Sequence, residues 1–173
     1  MKFLKYALFT VLGLIVLALV VAAFVPKTFH AEGSAVINKP NADVFNYVKH
    51  IKNQENFGVW FEQDPNIIKT SEGTDGTVGF KYSWKSEEVG NGSQVITNIE
   101  ENKRVDIDLF LMDSTEPAKS FFTTEAVSEN QTKVRWVVDG EMPYPFNLMS
   151  LCYDMNKDFV HGTANLKAVL EKQ

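Results

Sequence analysis

Cysteine is nearly absent from this chain: Cys152 is the only one, so no intrachain disulfide can form and zinc-ribbon ligand sets are excluded. An exported domain would have to be held by its core alone. Histidine is scarce as well. His30, His50 and His161 stand at no spacing typical of a metal site, and neither a metal nor another cofactor is expected. The chain has no glycine-rich phosphate loop, no Ser-His-Asp arrangement, no internal repeat and no long run of one charge. Positive charge is in short supply after the first residues. Lys2, Lys5 and Lys27 are three of the seventeen basic side chains, which leaves fourteen against twenty-two acidic ones in Thr28–Gln173, a formal charge of minus eight. That balance excludes a nucleic-acid partner and argues against electrostatic docking on anionic headgroups.

What is present begins with an apolar run. Tyr6 to Val25 carries no charge and is interrupted only by Thr10 and Gly13, close to the roughly 20 residues that cross a bilayer core. Residues 1–27 therefore read as a signal anchor that touches the membrane through residues 6–25. Lys2 and Lys5 before the run place the N-terminus in the cytoplasm and the remainder outside, periplasmic or extracellular. A cleaved secretory signal is the rival reading, with Val21-Ala22-Ala23 as a small-residue processing site and a soluble exported domain as the product. Residues 28–173 have the length of one domain.

Alternation over Phe29, Ala31, Gly33, Ala35 and Ile37 predicts a first strand, stopped by Lys39-Pro40-Asn41. Val44, Phe45, Val48 and Ile51 fall at helical spacing behind Asn41 as a cap, and a second short helix is expected over Gln54–Phe61 behind Asn53. From Asn66 the period is two for about 75 residues. Phe80, Tyr82 and Trp84 give one strand an aromatic face, and Gly90-Asn91-Gly92 suits a tight turn. Val95, Thr97 and Ile99 lie on the return strand. Val105, Ile107, Leu109 and Leu111 alternate with Arg104, Asp106 and Asp108 in the clearest half-buried strand. Asp113–Pro117 turns the chain; Phe121, Thr123, Glu125 and Val127 share the inner face of the next strand, and Val134, Trp136 and Val138 that of the last. Beyond Pro143-Tyr144-Pro145 the stripe Leu148, Cys152, Met155, Phe159, Gly162, Leu166 and Val169 predicts a terminal helix of about 25 residues. Gly162 in its middle implies a close approach or an opening beneath the helix.

Several segments together resemble the START-like superfamily (SRPBCC), the polyketide cyclase/dehydratase and lipid transport family. Ile37–Pro40 leading to Val44–Val48 is similar to that family's first strand and helix, and Asn56–Trp60 to its second. Gly79–Trp84 with Gly90-Asn91-Gly92 resembles its aromatic hairpin, and Thr132–Gly140 its last strand. Asp158–Lys167 resembles the end of its terminal helix. The resemblance implies an α+β helix-grip fold for residues 28–173: a curved antiparallel sheet wrapped on a long C-terminal helix, enclosing a cavity for an apolar or amphipathic small molecule.

Trp60, Tyr82, Trp84, Phe121 and Trp136 are expected to converge on the concave face opposite Met155 and Phe159, with Leu109 on the same wall. Glu125 is the candidate for a polar anchor within it. Asp106 and Asp108 read as solvated charge, the His161–Asp158 pair as a surface contact, and Cys152 as a small core residue. No catalytic residue is identified. The leading function is a membrane-tethered domain that binds a hydrophobic small molecule or lipid. An enzyme of cyclase, dehydratase or hydrolase type would instead need Tyr82, Glu125 or His161 to converge. A membrane-protein assembly factor would need a large exposed apolar patch.

Overall fold

In the computed structural model, residues 2–112 and 114–172 are described, so the expected turn at 113–117 begins outside them, at Asp113. The chain packs as two compact units, one formed by His30–Gly140 with Met155–Gln173 and the other by the first 29 residues with Glu141–Asp154.

The larger unit follows the expected order. Strand β1 (Thr28–Ile37) leads to helix α2 (Asn41–Val48), a 3-10 turn at Ile51–Asn56 and helix α3 (Val59–Gln63); helix α1 (Lys2–Phe24) belongs to the N-terminal segment. Six strands follow, β2 (Ile68–Glu72), β3 (Lys81–Lys85), β4 (Gly92–Glu100), β5 (Arg104–Leu111), β6 (Ala118–Ser128) and β7 (Gln131–Glu141), and then helix α4 (Asn156–Lys172). The sheet order is β1-β7-β6-β5-β4-β3-β2, with the pairs from β2 to β7 antiparallel. This meander with a C-terminal helix is the helix-grip fold. Phe45, Phe57, Phe80, Tyr82, Ile96, Ile107, Phe122, Phe159 and Leu166 are buried between the layers.

Local details correct the sequence reading in several places. Asn41 does not cap α2; it is the first helical residue, and its amide donates to the Asn102 carbonyl. The 3-10 turn at 51–56 is capped from a distance by Asp75, which accepts from the backbone of Ile51 and Lys52, while Asn53 bonds back to Tyr47. In β4 the inward residues are Gln94 and Ile96, not Val95 and Thr97. A bulge between Ile96 and Asn98 then resets the parity, so that Ile99 faces Val105. In β6 the buried set is Ser120, Phe122 and Thr124, and a one-residue change of parity carries Phe121, Thr123, Glu125 and Val127 off the inner face.

Helix α4 is also shorter than its apolar pattern suggested. It has 17 residues, and Phe146–Leu151 forms a separate 3-10 turn. Leu148 and Cys152 therefore do not continue its stripe, and Cys152 is exposed rather than in a core. The buried face is Phe159, Gly162, Thr163, Leu166 and Leu170, with Leu170 in the place expected of Val169.

In the smaller unit, helix α1 (Lys2–Phe24) includes a stretch, Phe3–Phe24, long and apolar enough to cross a membrane. Its end is held by Asn147, which is fully buried and whose amide donates to the carbonyls of Ala22 (2.7 Å) and Val25 (2.8 Å). The Ala22 carbonyl belongs to the last helical turn, where carbonyls lack an intrahelical partner, and that of Val25 lies just beyond it.

Candidate ligand-binding groove

The centre of the inner face is a packed aromatic floor. Trp136 of β7 lies opposite Phe122 of β6 and stacks on it at 5.0 Å, and Phe159 of α4 meets the same indole at 4.7 Å. Phe57 and Trp60 approach Trp136 edge-on at 5.6 and 5.7 Å. Rings at such distances are in contact, so no ligand-sized space remains among them. The indole N–H donates to Ser120 Oγ, which donates in turn to the Val137 carbonyl.

Two glycines bring α4 this close. A Cβ on Gly162 would stand 3.0 Å from the Trp136 ring, so the glycine serves close approach and leaves no opening beneath the helix. A Cβ on Gly33 would stand only 2.0 Å from the carbonyl oxygen of Phe159, so β1 and α4 meet backbone to backbone.

Towards β2–β4 the inner face becomes polar. The Gln54 and Gln94 amides exchange two hydrogen bonds, at 3.0 and 2.9 Å, in a buried reciprocal pair. Tyr82 lies across from Gln94 and donates its hydroxyl to Glu55 at 2.7 Å, and Lys69 makes an ion pair with the same carboxylate. Burial pushes the Glu55 carboxyl up, but the hydrogen bonds from Lys69 and Tyr82 outweigh it and hold the group below its ordinary range. Burial, then the bond to Glu55, pushes the Tyr82 phenol far up. At neutral pH the pair is thus an ionised carboxylate and a neutral donor, suited to orienting a polar group rather than exchanging protons.

Helix α3 links the two ends. Trp60 packs on Trp136 and Phe159 (5.6 Å), Phe61 packs on Tyr82 (6.2 Å), and Asp64 accepts from Ser86 Oγ beyond β3 at 2.6 Å. Burial is uneven along this face: Trp60, Trp84, Leu109 and Leu111, and Met155 just before α4, are half-buried and keep contact with solvent, whereas Ile96, Ile107 and Phe122 do not.

Of the wall residues expected from the sequence, Trp60, Trp136 and Phe159 are in mutual ring contact, and Met155 stands one turn before Phe159. Tyr82, Trp84 and Leu109 share the inner face through the β3–β4–β5 register. Phe121 and Glu125 do not join them. Phe121 lies on the outer face under the Arg104 guanidinium, 3.7 Å from its ring centre, and Glu125 is exposed opposite Lys133. With Glu125 outside and His161 exposed, neither converges with Tyr82. Asp106 and Asp108 pair with Arg104 and Lys119 on the outer face, as solvated charges would.

Sequence reasoning missed Gln54, Glu55 and Gln94. Only the parity of β4 could have signalled Gln94, and the bulge after Ile96 hid it. Among the described residues no group of three His, Cys, Asp or Glu is placed to hold a metal ion. A separate cleft of about 270 Å3, with Lys39, Asp43, Tyr47 and His50 in its lining, is polar and includes none of the wall residues.

No family model matches this chain, and no curated protein matches it. Solved structures do. Norcoclaurine synthase from Thalictrum flavum, solved with dopamine and hydroxybenzaldehyde, is 10% identical, with 84% of this chain and 88% of that one covered at a TM-score of 0.59. Protein MLL2253 from Mesorhizobium loti is 11% identical over 84% of this chain and 98% of its own, with a TM-score of 0.61. The Aha1 dimer from Colwellia psychrerythraea is 17% identical over 83% and 96%, with a TM-score of 0.56. At such identities the likeness is one of fold, and the fold these structures share with this chain is the helix-grip fold.

Proposed function

We propose that this chain is a membrane-tethered START-like domain that binds a hydrophobic or amphipathic small molecule, lipid-like in character, at the half-open end of its groove. Trp60, Trp84, Leu109 and Met155 form the apolar wall, Trp136 and Phe159 the floor, and the Tyr82–Glu55 pair, whose carboxylate is partly exposed, orients a polar head. The observation that carries this reading is the contrast in burial along one inner face. A closed core would bury all of these side chains, whereas here large apolar groups stay accessible beside satisfied polar ones, the lining that small-molecule sites favour. Residues 28–173 contain this site, and α1 is the tether, with its N-terminus cytoplasmic and the domain outside.

Retention of the anchor is favoured over cleavage at Val21-Ala22-Ala23 by Asn147. Its buried amide donates to the carbonyls of both Ala22 and Val25, so cleavage after Ala23 would remove the first of these two acceptors and cost up to about 1 kcal/mol.

The test is photo-crosslinking of the full chain in phosphatidylcholine nanodiscs with a diazirine fatty acid, followed by peptide mapping. Adducts on peptides containing Trp60, Trp84, Leu109 or Met155 are expected. Adducts confined to residues 3–24 would overturn the groove assignment.

A further inference from the structure

The structure points to a second membrane-contacting element that no sequence feature of the apolar run announces: we infer that residues 142–153 lie in the lipid interface beside the end of α1. The inference rests on the reading of α1 as a membrane span.

From Met142 to Tyr153 the chain carries no charge. Its 3-10 turn, Phe146–Leu151, leaves Tyr144, Phe146, Met149, Leu151 and Tyr153 between 45% and 63% exposed. Five exposed side chains of this size within ten residues form the densest apolar patch among the described residues outside α1. The polar residue best placed to compete for water, Asn147, is turned inward and spent on α1.

What covers the patch follows from where it is held. The Tyr144 hydroxyl donates to the Leu19 carbonyl at 3.2 Å, Asn147 bonds to Ala22 and Val25, and the Met142 N–H donates to the Lys27 carbonyl at 2.7 Å. Residues 142–147 thus run alongside residues 19–27, the last turn and a half of the apolar helix and its exit. Any bilayer that α1 spans must place its outer interface at that level. The patch is continuous with the exposed apolar surface of Leu19, Val20 and Phe24, and two tyrosines at its ends suit the headgroup region, where an apolar ring with a polar tip is favoured. A short irregular segment is tolerated at that depth because water and headgroups still reach its backbone; deeper in the hydrocarbon it would not be. With no basic residue in the segment, the partner surface is the acyl–headgroup boundary itself and not anionic charge.

The native Cys152 gives the probe position. Full-length protein labelled there with the polarity-sensitive fluorophore NBD is reconstituted in phosphatidylcholine vesicles containing lipids spin-labelled at carbon 5 or carbon 12. Two control proteins are labelled after Cys152→Ser, one with Leu14→Cys in α1 and one with Lys119→Cys on the outer sheet face. The expected result is strong quenching of the Cys152 label by the carbon-5 lipid, at least twofold more than by the carbon-12 lipid, with iodide access well below that of the Lys119→Cys label. The Leu14→Cys label is quenched best by the carbon-12 lipid. A Cys152 label as open to iodide as that at position 119, with position 14 still in lipid, overturns the inference and leaves the tether standing. A Cys152 label shielded from both iodide and spin-labelled lipid overturns it in favour of a protein partner. Loss of lipid quenching at position 14 overturns the tether itself, and this inference with it.

Discussion

The two ends of the inner face differ in how their side chains are satisfied. Around Trp136 four aromatic side chains fill the space by shape alone, and even the indole N–H is absorbed by Ser120. Around Tyr82 the same sheet face carries paired amides, a buried phenol and an ionised carboxylate, with apolar side chains left half-open at the edge. Apolar packing consumes volume, whereas a hydrogen-bonded network holds side chains in place without filling the room between them. Stability is therefore concentrated at the aromatic end, and the binding site we propose lies at the polar one.

Substitutions at either end separate the two roles. The largest effect is expected from Trp136→Ala, which removes the ring touching Phe57, Trp60, Phe122 and Phe159; urea unfolding of the full chain in nanodiscs should show a loss of about 3–5 kcal/mol. A loss under 1 kcal/mol would mean that the floor is not the stabilising end. Gln94→Leu should cost less, about 1–3 kcal/mol, because it strands the Gln54 amide in a buried site. The double change Gln54→Leu with Gln94→Leu should recover part of that loss, and a strictly additive double variant would show that the two amides are not coupled.

The smallest effect is one of pH. Glu55 is held below its ordinary value of 4.5 in the folded chain, so its contribution is complete above that value and is lost as pH falls through the lower, folded one. Glu55→Gln should flatten the decline in melting temperature below pH 4.5 while leaving the profile at pH 6–8 parallel to that of wild type. An unchanged acid limb would remove Glu55 from the network.

The order of elements and the clean strands were legible in the sequence because alternation in β1, β5 and β7 pairs apolar with charged neighbours. Strand β6 was not, since Phe121 and Phe122 offer an apolar side chain to either face. Its parity is decided across the sheet, where Phe122 meets Trp136 and Arg104 covers Phe121. The bulge at Thr97 similarly hid Gln94 behind an alternation that looked regular. In the terminal segment the apolar spacing ran on through Leu148 and Cys152, although α4 begins only at Asn156; the earlier residues answer to α1 through Asn147 instead. Of the candidate wall, the aromatic members were visible as a set, while the polar partners depend on contacts across 40 residues or fewer of intervening chain that no local pattern encodes.

Saturable binding of a fluorescent fatty acid to the full chain in nanodiscs, corrected for partition into empty nanodiscs, distinguishes a binding domain from a closed core when wild type is compared with Leu109→Asp. Leu109 is on the half-open wall, where an aspartate can remain hydrated, so the fold should persist. The account predicts one saturable site in wild type and at least a tenfold weaker Kd in the variant at nearly unchanged stability; equal Kd values, or no saturable site in wild type, would contradict it.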